Sequence, residues 1–180
     1  HPVTESVVFA LSHVINHKDF TLDDQMAFIN AIQPWLVPCR ITTDLRMRVF
    51  SLCLTFENAC PIFHSTIVKK FLEIALLKRE SAAVRLAVLE KLPFDLDVFK
   101  VSYELRSDAI KVLVRVMIDR TDDIFLRNCA AKRLCKCFWT CQNFDLVFNN
   151  GIIDEFVKMI KSYQVTEDEV VKTIVVSLFD

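Results

Sequence analysis

Helical segments of similar pattern recur along this chain at intervals of 41, 42 and 44 residues, and this recurrence limits the possible folds more than any other feature. The first residues of the four segments are 24, 65, 107 and 151, and they read DQMAFINAIQPWL, STIVKKFLEIALL, SDAIKVLVRVMI and GIIDEFVKMIK. Within each segment apolar residues are spaced by three and four, as on one face of an α-helix. The sequence therefore predicts an array of stacked helical units.

A second set of helical segments follows the first in register. These segments read TDLRMRVFSLCL, ESAAVRLAVLEKL, TDDIFLRNCAAKRLCKCF and EDEVVKTIVVSLF, and they align on Arg48, Arg85, Arg127 and Lys172. TESVVFALSHVIN at the beginning of the chain looks like a further copy. We therefore expect one repeat domain over 1–180, with approximate units 1–20 (partial), 21–58, 61–93, 94–139 and 143–180.

The composition favours an all-α protein. Among 180 residues there is one glycine, so the chain has almost nothing with which to build the positive-φ turns that β-hairpins favour. Apolar residues make up 53% of the chain, enough for a substantial core. The predicted helix starts are Thr21, Thr43, Ser65, Ser107 and, in a capping box with Glu169, Thr166.

The C-terminal stretch resembles one armadillo repeat. NFDLVFNN matches the short first helix, Gly151 the sharp turn, IIDEFVKMIKS the second helix and EDEVVKTIVVSLF the third. Across the chain, the period of about 40 residues resembles armadillo and HEAT repeat arrays. This resemblance implies a right-handed α-solenoid of about four degenerate units. It also implies a non-enzymatic scaffold that binds a partner protein or peptide on the concave surface of the third helices.

The candidate partner-binding groove is a modestly basic strip on the third helices. Its residues are Arg48, Arg85, Asn128, Lys132, Lys136 and Lys172. Such a strip suits an acidic protein or peptide. One alternative is that these are ordinary solvated helix faces. Another is an RNA-binding solenoid in which the same strip follows phosphates, but a net charge of −1 provides no overall attraction to nucleic acid.

Two apolar features lie outside this strip. The connecting segment PFDLDVFKVSYEL offers a candidate secondary contact patch, namely Phe94, Val98, Phe99 and Tyr103. The chain stops after a third-helix segment, and we expect it to be a piece of a longer protein. Val175, Val176, Leu178 and Phe179 would then need cover from a following unit or a partner.

No arrangement of residues in the sequence predicts catalysis, a metal or a cofactor. The seven cysteines include no CxxC pair. If NCAAKRLCKCFWTC is one helix, Cys135 lies about 240° around its axis from Cys129, so the cluster cannot converge on one ion. We interpret the cysteines as reduced core thiols of an intracellular protein, cytoplasmic or nuclear. The acidic TDD at 121–123 is interpreted as a complement to a helix dipole, and no apolar run is long enough to span a membrane.

Overall fold

The computed structural model describes residues 6, 21–32, 34, 42–53, 61–92, 101–138, 144–149, 151–166 and 169–179. Within these ranges the chain forms helices joined by turns and contains no β-strand, which confirms the predicted all-α class. The helices are α1 (Leu22–Ile32), α2 (Thr43–Cys53), α3 (Pro61–Leu76), α4 (Ala82–Lys91), α5 (Tyr103–Ile118), α6 (Ile124–Phe138), α7 (Phe144–Asn149), α8 (Ile152–Thr166) and α9 (Glu169–Phe179).

Polar side chains fix several helix starts. At α1 the Asp24 N–H donates to Thr21 Oγ1 at 3.2 Å, and the Thr21 N–H donates to Asp24 Oδ2 at 2.9 Å. This is a capping box in which aspartate takes the N3 position that glutamate or glutamine usually holds. The predicted start at Thr21 is therefore confirmed. Ser81 and Ser102 cap α4 and α5 by accepting one backbone N–H each at 3.3 Å. Each cap satisfies a donor that the helix itself leaves unpaired.

Two of the predicted starts are wrong because the helices begin earlier. Ser65 lies inside α3, which begins at Pro61, and Ser107 lies inside α5, which begins at Tyr103. Proline suits the first position of a helix, since its missing N–H would have no partner there and its φ is already helical. Pro61 is therefore well suited to begin α3.

A third predicted start shifts by one residue. Thr43 is the first residue of α2, and the cap is Thr42, whose Oγ1 accepts the Leu45 N–H at 3.4 Å. The signal was displaced because both threonines are chemically able to cap. Thr166 is the last residue of α8 and Glu169 the first of α9, and the residues between them lie outside the described residues, so the predicted capping box stays a prediction.

The helices contact one another in two rows. The first row is α1, α3 and α5, each in contact with the next, and the second row is α2, α4, α6 and α9, also in contact in that order. Between the rows α3 contacts α4, α5 contacts α6 and α8 contacts α9, while α7 contacts α5, α6 and α8. Most helices therefore contact the helix that occupies the same place in the next unit of the sequence.

One continuous apolar core lies between the two rows. It extends from Phe28 to Ile174, and aromatic rings occupy its N-terminal part. The rings of Phe50 and Phe71 meet edge to face with centroids 5.2 Å apart, and those of Phe28 and Phe63 are stacked at 6.2 Å. Fully burying one such side chain stabilises the fold by about 1.5–3 kcal/mol. The core therefore joins the helices of both rows.

Gly151 makes the turn between α7 and α8. Its φ is +67°, in the left-handed region, as the armadillo resemblance implied. Its N–H donates to the Phe148 carbonyl at 3.2 Å, and its own carbonyl accepts the Glu155 N–H at 3.1 Å, so it ends one helix and starts the next. A Cβ built on Gly151 would have no atom within 4 Å. The need for glycine is therefore conformational rather than steric.

Candidate partner-binding surface

Three exposed side chains form a line along α6. Phe125 is 69% exposed, and Lys132 and Lys136 are also exposed. At 100° per residue the two lysines lie about 20° to either side of Phe125 around the helix axis. An aromatic ring and two cations are thus presented along one stripe of α6. We call Phe125, Lys132 and Lys136 the α6 line.

The start and the packing of α6 fix the direction of this line. Asp123 precedes the helix, and its Oδ1 accepts the Phe125 N–H at 2.8 Å. The opposite face of α6 carries Leu126, Ala130 and Leu134, all within 1% of complete burial. Because that face is held in the core, the α6 line points outward.

Asn128 lies beside the α6 line and connects two helices of the second row. It is half-buried, and its Oδ1 accepts a hydrogen bond from Thr173 Oγ1 of α9 at 3.2 Å. The predicted groove residue therefore has a structural contact of its own. Substituting it would disturb the contact between α6 and α9 as well as any binding surface.

Two other predicted groove residues lie exposed on second-row helices. Arg48 is exposed on α2, and Lys172 is 47% exposed on α9, where it pairs with Glu169 at 2.6 Å. Exposed pairs of this kind contribute little to stability. Both cations are placed where a partner could reach them.

Arg85 is the predicted groove residue that does not fit an exposed strip. Its side chain is only 4% exposed, and its guanidinium makes three hydrogen bonds. Nε donates to the Ala75 carbonyl at 2.8 Å, Nη1 donates to Asp122 Oδ1 at 2.6 Å, and Nη2 donates to Asp122 Oδ2 at 2.9 Å. The prediction for Arg85 was wrong because a long cationic side chain on this face finds a buried carboxylate 37 residues away.

Because Arg85 is buried, it does not contribute to the exposed strip. The residue of α4 that corresponds to Lys132, one interval of 42 residues earlier, is the exposed Glu90. A carboxylate therefore lies between the exposed Arg48 of α2 and the exposed lysines of α6. The exposed surface of the second row is mixed in charge, and its positive part is concentrated on α6.

Arg85 belongs to a buried arginine ladder that the sequence alignment had missed. Arg46, Arg85 and Arg127 are each the fourth residue after the capping residue of their helix, and they are 3%, 4% and 7% exposed. Arg127 Nε donates to the Met117 carbonyl at 3.0 Å, as Arg85 Nε does to Ala75. These carbonyls lie in the last turns of α5 and α3, where a cation complements the helix dipole. Arg46, not Arg48, is thus the counterpart of Arg85.

The ladder also joins neighbouring helices of the second row. Arg46 pairs with Glu80 at 2.6 Å, and Arg85 pairs with Asp122. Each carboxylate lies directly before the capping residue of the next second-row helix. Lys78 adds ion pairs to Asp119 and Asp122 at 2.6 and 2.7 Å. The hydrogen bonds from Arg85 hold the pKa of Asp122 below its ordinary value.

The predicted secondary patch is described at one residue. Tyr103 is the first residue of α5 and is 48% exposed. Phe94, Val98 and Phe99 lie outside the described residues. The patch therefore stays a sequence prediction.

The described cysteines are placed for packing. Cys53, Cys129, Cys135 and Cys137 carry free thiols. Burial raises the pKa of Cys53 and Cys135 to about 12 and that of Cys137 to about 11, and it also raises the pKa of Cys129. A thiol is nucleophilic as its thiolate, so these pKa values make the groups poor nucleophiles at neutral pH. Among the residues described, no three His, Cys, Asp or Glu side chains are grouped so as to hold a metal ion.

A surface depression of about 250 Å³ lies where the end of α5 and the start of α6 meet α8 and α9. Its lining residues are Ile118, Arg120, Arg127, Glu155, Lys158, Met159 and Val171. Glu155 and Lys158 pair with each other at 2.6 Å, and Arg127 holds the Met117 carbonyl. Most of its charged groups thus make structural contacts, and we assign the depression no chemical role.

Comparison of the chain with protein-family models, with curated proteins and with solved structures finds no match. The described helices include none with the length and apolar character that crossing a membrane requires. The surface must therefore be interpreted from its own geometry and chemistry.

Proposed function

We propose that this protein is a non-enzymatic helical-repeat scaffold, a right-handed α-solenoid of degenerate armadillo or HEAT type. Two features support the proposal. Each helix of the second row contacts the next helix of that row. The arginine ladder repeats at corresponding places in three of those helices. Repeated contacts between equivalent elements are typical of stacked units.

The partner-binding surface is the exposed face of the second row, centred on the α6 line. The observation that carries this part of the proposal is Phe125, which is 69% exposed and aligned with Lys132 and Lys136. A side chain so exposed contributes little to the core, and aromatic residues, including phenylalanine, are enriched at protein interfaces. The two lysines add attraction for carboxylates and steer association.

The ligand of this surface is an extended peptide segment of an intracellular partner protein. It carries an apolar or aromatic residue to contact Phe125 and two or more carboxylates to pair with Lys132 and Lys136. Nucleic acid is a weaker candidate, because Glu90 interrupts the cations of the second row and repels phosphates. The proposal needs no cofactor and no metal.

Selection from a random peptide library on the immobilised protein tests this function. We expect the selected peptides to share an apolar residue beside Asp or Glu and to lose binding to Lys132→Glu with Lys136→Glu. A titration with single-stranded RNA of mixed sequence is run in parallel across a range of salt concentrations. Tight RNA binding that falls steeply with salt, together with no acidic consensus among the peptides, would replace the scaffold proposal with the RNA-binding one.

A further inference from the structure

Helix α8 presents an apolar stripe to solvent. Ile153, Val157 and Ile160 are 37%, 41% and 41% exposed, and they lie within about 60° of one another around the helix. Ile152 and Phe156 lie beside this stripe, about 100° and 60° around the helix from Ile153, and both are buried. The apolar face of α8 is therefore wider than the part that the rest of the fold covers.

The corresponding positions of the preceding first-row helices are covered. In the register of the sequence repeat, Ile153 corresponds to Ile67 of α3 and Ala109 of α5. Across α3 and α5 the counterparts of the α8 stripe are 5% exposed or less, and they are Ile67, Phe71, Ile74, Ala109, Leu113 and Val116. In α3 and α5 these positions are buried, whereas in α8 they are exposed.

Helix α9 shows the same contrast. Val175 and Val176 are 39% and 56% exposed. The residues 45 positions earlier, Ala130 and Ala131 of α6, are completely buried. So are the residues a further 42 positions earlier, Val88 and Leu89 of α4. The two helices contact each other. We call the exposed residues Ile153, Val157, Ile160, Val175 and Val176 the end face.

The charges beside the α8 stripe are self-complementary. Asp154 and Lys161 are both exposed and lie on the same flank of the stripe, about 100° and 80° around the helix from Ile153. When two copies of such a helix pack antiparallel about a two-fold axis near Val157, residues of the same flank meet across the interface. Asp154 of each copy then lies opposite Lys161 of the other, and Ile153 lies opposite Ile160.

We propose that the end face is an isologous interface at which two copies of this chain form a dimer. An isologous contact requires a surface that complements itself, and the apolar stripe with Asp154 and Lys161 on one flank meets that condition in its charges. The two-fold axis places α8 against α8 and α9 against α9, so the two hairpins pack face to face as two layers of two helices. This dimerisation is separate from peptide binding at the α6 line and does not depend on it.

Sedimentation equilibrium of the chain at concentrations from about 1 to 200 µM tests the dimer. We expect the average mass to rise toward twice that of the monomer. Asp154→Lys and Lys161→Asp should each weaken association by about tenfold or more, since each replaces two attractive contacts with two repulsive ones. The double variant should restore it, because the two exchanged charges attract again.

Matched variants separate this result from misfolding and from non-specific association. Val157→Glu should give a monomer with unchanged helix content by circular dichroism, whereas Ile62→Glu, at a residue 56% exposed on α3, should leave the dimer intact. A monomer at every concentration would overturn the proposal. So would a dimer that ignores the charge exchange, or open-ended growth beyond the dimer, which would indicate a contact between unlike surfaces.

Discussion

Arg85 and Asp122 form a two-bond ion pair across 37 residues of sequence, with Nη1–Oδ1 and Nη2–Oδ2 distances of 2.6 and 2.9 Å. The two side chains are 4% and 5% exposed. Paired bonds of this geometry are directional, so they fix the position of one helix relative to the next. The contact connects α4 to the turn before α6 and is one step of the arginine ladder.

Replacing Asp122 by Ala should therefore destabilise the protein strongly. The change leaves Arg85 buried without its counter-charge, and breaking a buried pair in this way costs about 3 kcal/mol or more. Urea unfolding monitored by circular dichroism measures the effect. The matched control is Asp108→Ala, because Asp108 pairs with Lys111 at 3.7 Å where both side chains are over 60% exposed. That variant should cost less than about 1 kcal/mol. Equal losses in the two variants would show that the ladder has no special role.

Lowering the pH should reduce the free energy of unfolding through the Arg85–Asp122 ion pair. Arg85 lowers the pKa of Asp122 from its ordinary 3.8, so the carboxylate binds its proton less readily in the folded state than in the unfolded state. The resulting stability is present above about pH 4 and is lost as the pH falls below 4 through the folded-state pKa. Unfolding free energies measured between pH 7 and 3 should show this decline. The unfolding free energy should depend less steeply on pH in Asp122→Asn. If that variant shows the same pH dependence as the wild type, other carboxylates cause the acid sensitivity.

Gly151→Val should destabilise by about 1 kcal/mol or more, because a β-branched residue is strained at the observed φ of +67°. Gly151→Asn is the matched control, since Asn tolerates left-handed φ better than other residues with a side chain. Thermal unfolding should rank the variants as Gly, then Asn, then Val. A Cβ at this position would have no atom within 4 Å, so the β-carbon itself causes no clash. A valine variant as stable as the asparagine variant would contradict the conformational explanation.

The buried thiols that the structure describes should react slowly in the native state. Cys53, Cys135 and Cys137 are buried, and their pKa values of about 12, 12 and 11 leave little thiolate near neutral pH. Iodoacetamide labelling followed by peptide mass spectrometry should modify Cys129, which is half-buried, before these three. Reductant and chelator should leave the melting temperature unchanged. Rapid modification of Cys53 in the folded protein would show that α2 opens far more readily than its packing indicates.

Local patterns in the sequence were sufficient to predict the helices of the C-terminal stretch. NFDLVFNN, Gly151, IIDEFVKMIKS and EDEVVKTIVVSLF correspond to α7, the left-handed turn, α8 and α9. Apolar spacing and a glycine at a corner act within a few residues, so they are legible without tertiary structure. Starts such as Ser65 were misplaced because a capping residue and a polar residue inside a helix have the same chemistry.

Helical periodicity could not predict that Arg85 is buried. The sequence places it on a non-apolar face, but whether such a face is covered depends on a carboxylate 37 residues away. Asp122 was interpreted only as part of an acidic helix start, a role that its neighbour Asp123 fulfils. One signal was available: an arginine four residues after each of Thr42, Ser81 and Asp123. That regularity distinguishes the buried ladder from the exposed α6 line.

The central claim is that the α6 line binds an acidic peptide segment, and peptide affinity tests it most directly. The probe is the highest-affinity peptide from the library selection, titrated by isothermal calorimetry against wild type and variants. Lys132→Glu with Lys136→Glu should weaken binding by about tenfold or more, and Phe125→Ala should weaken it as well. The control Lys69→Glu with Lys111→Glu makes the same charge change at exposed positions of first-row helices and should bind the peptide almost as wild type does. Equal losses in both charge variants, or no loss in either, would contradict the assignment of the α6 line as the binding surface.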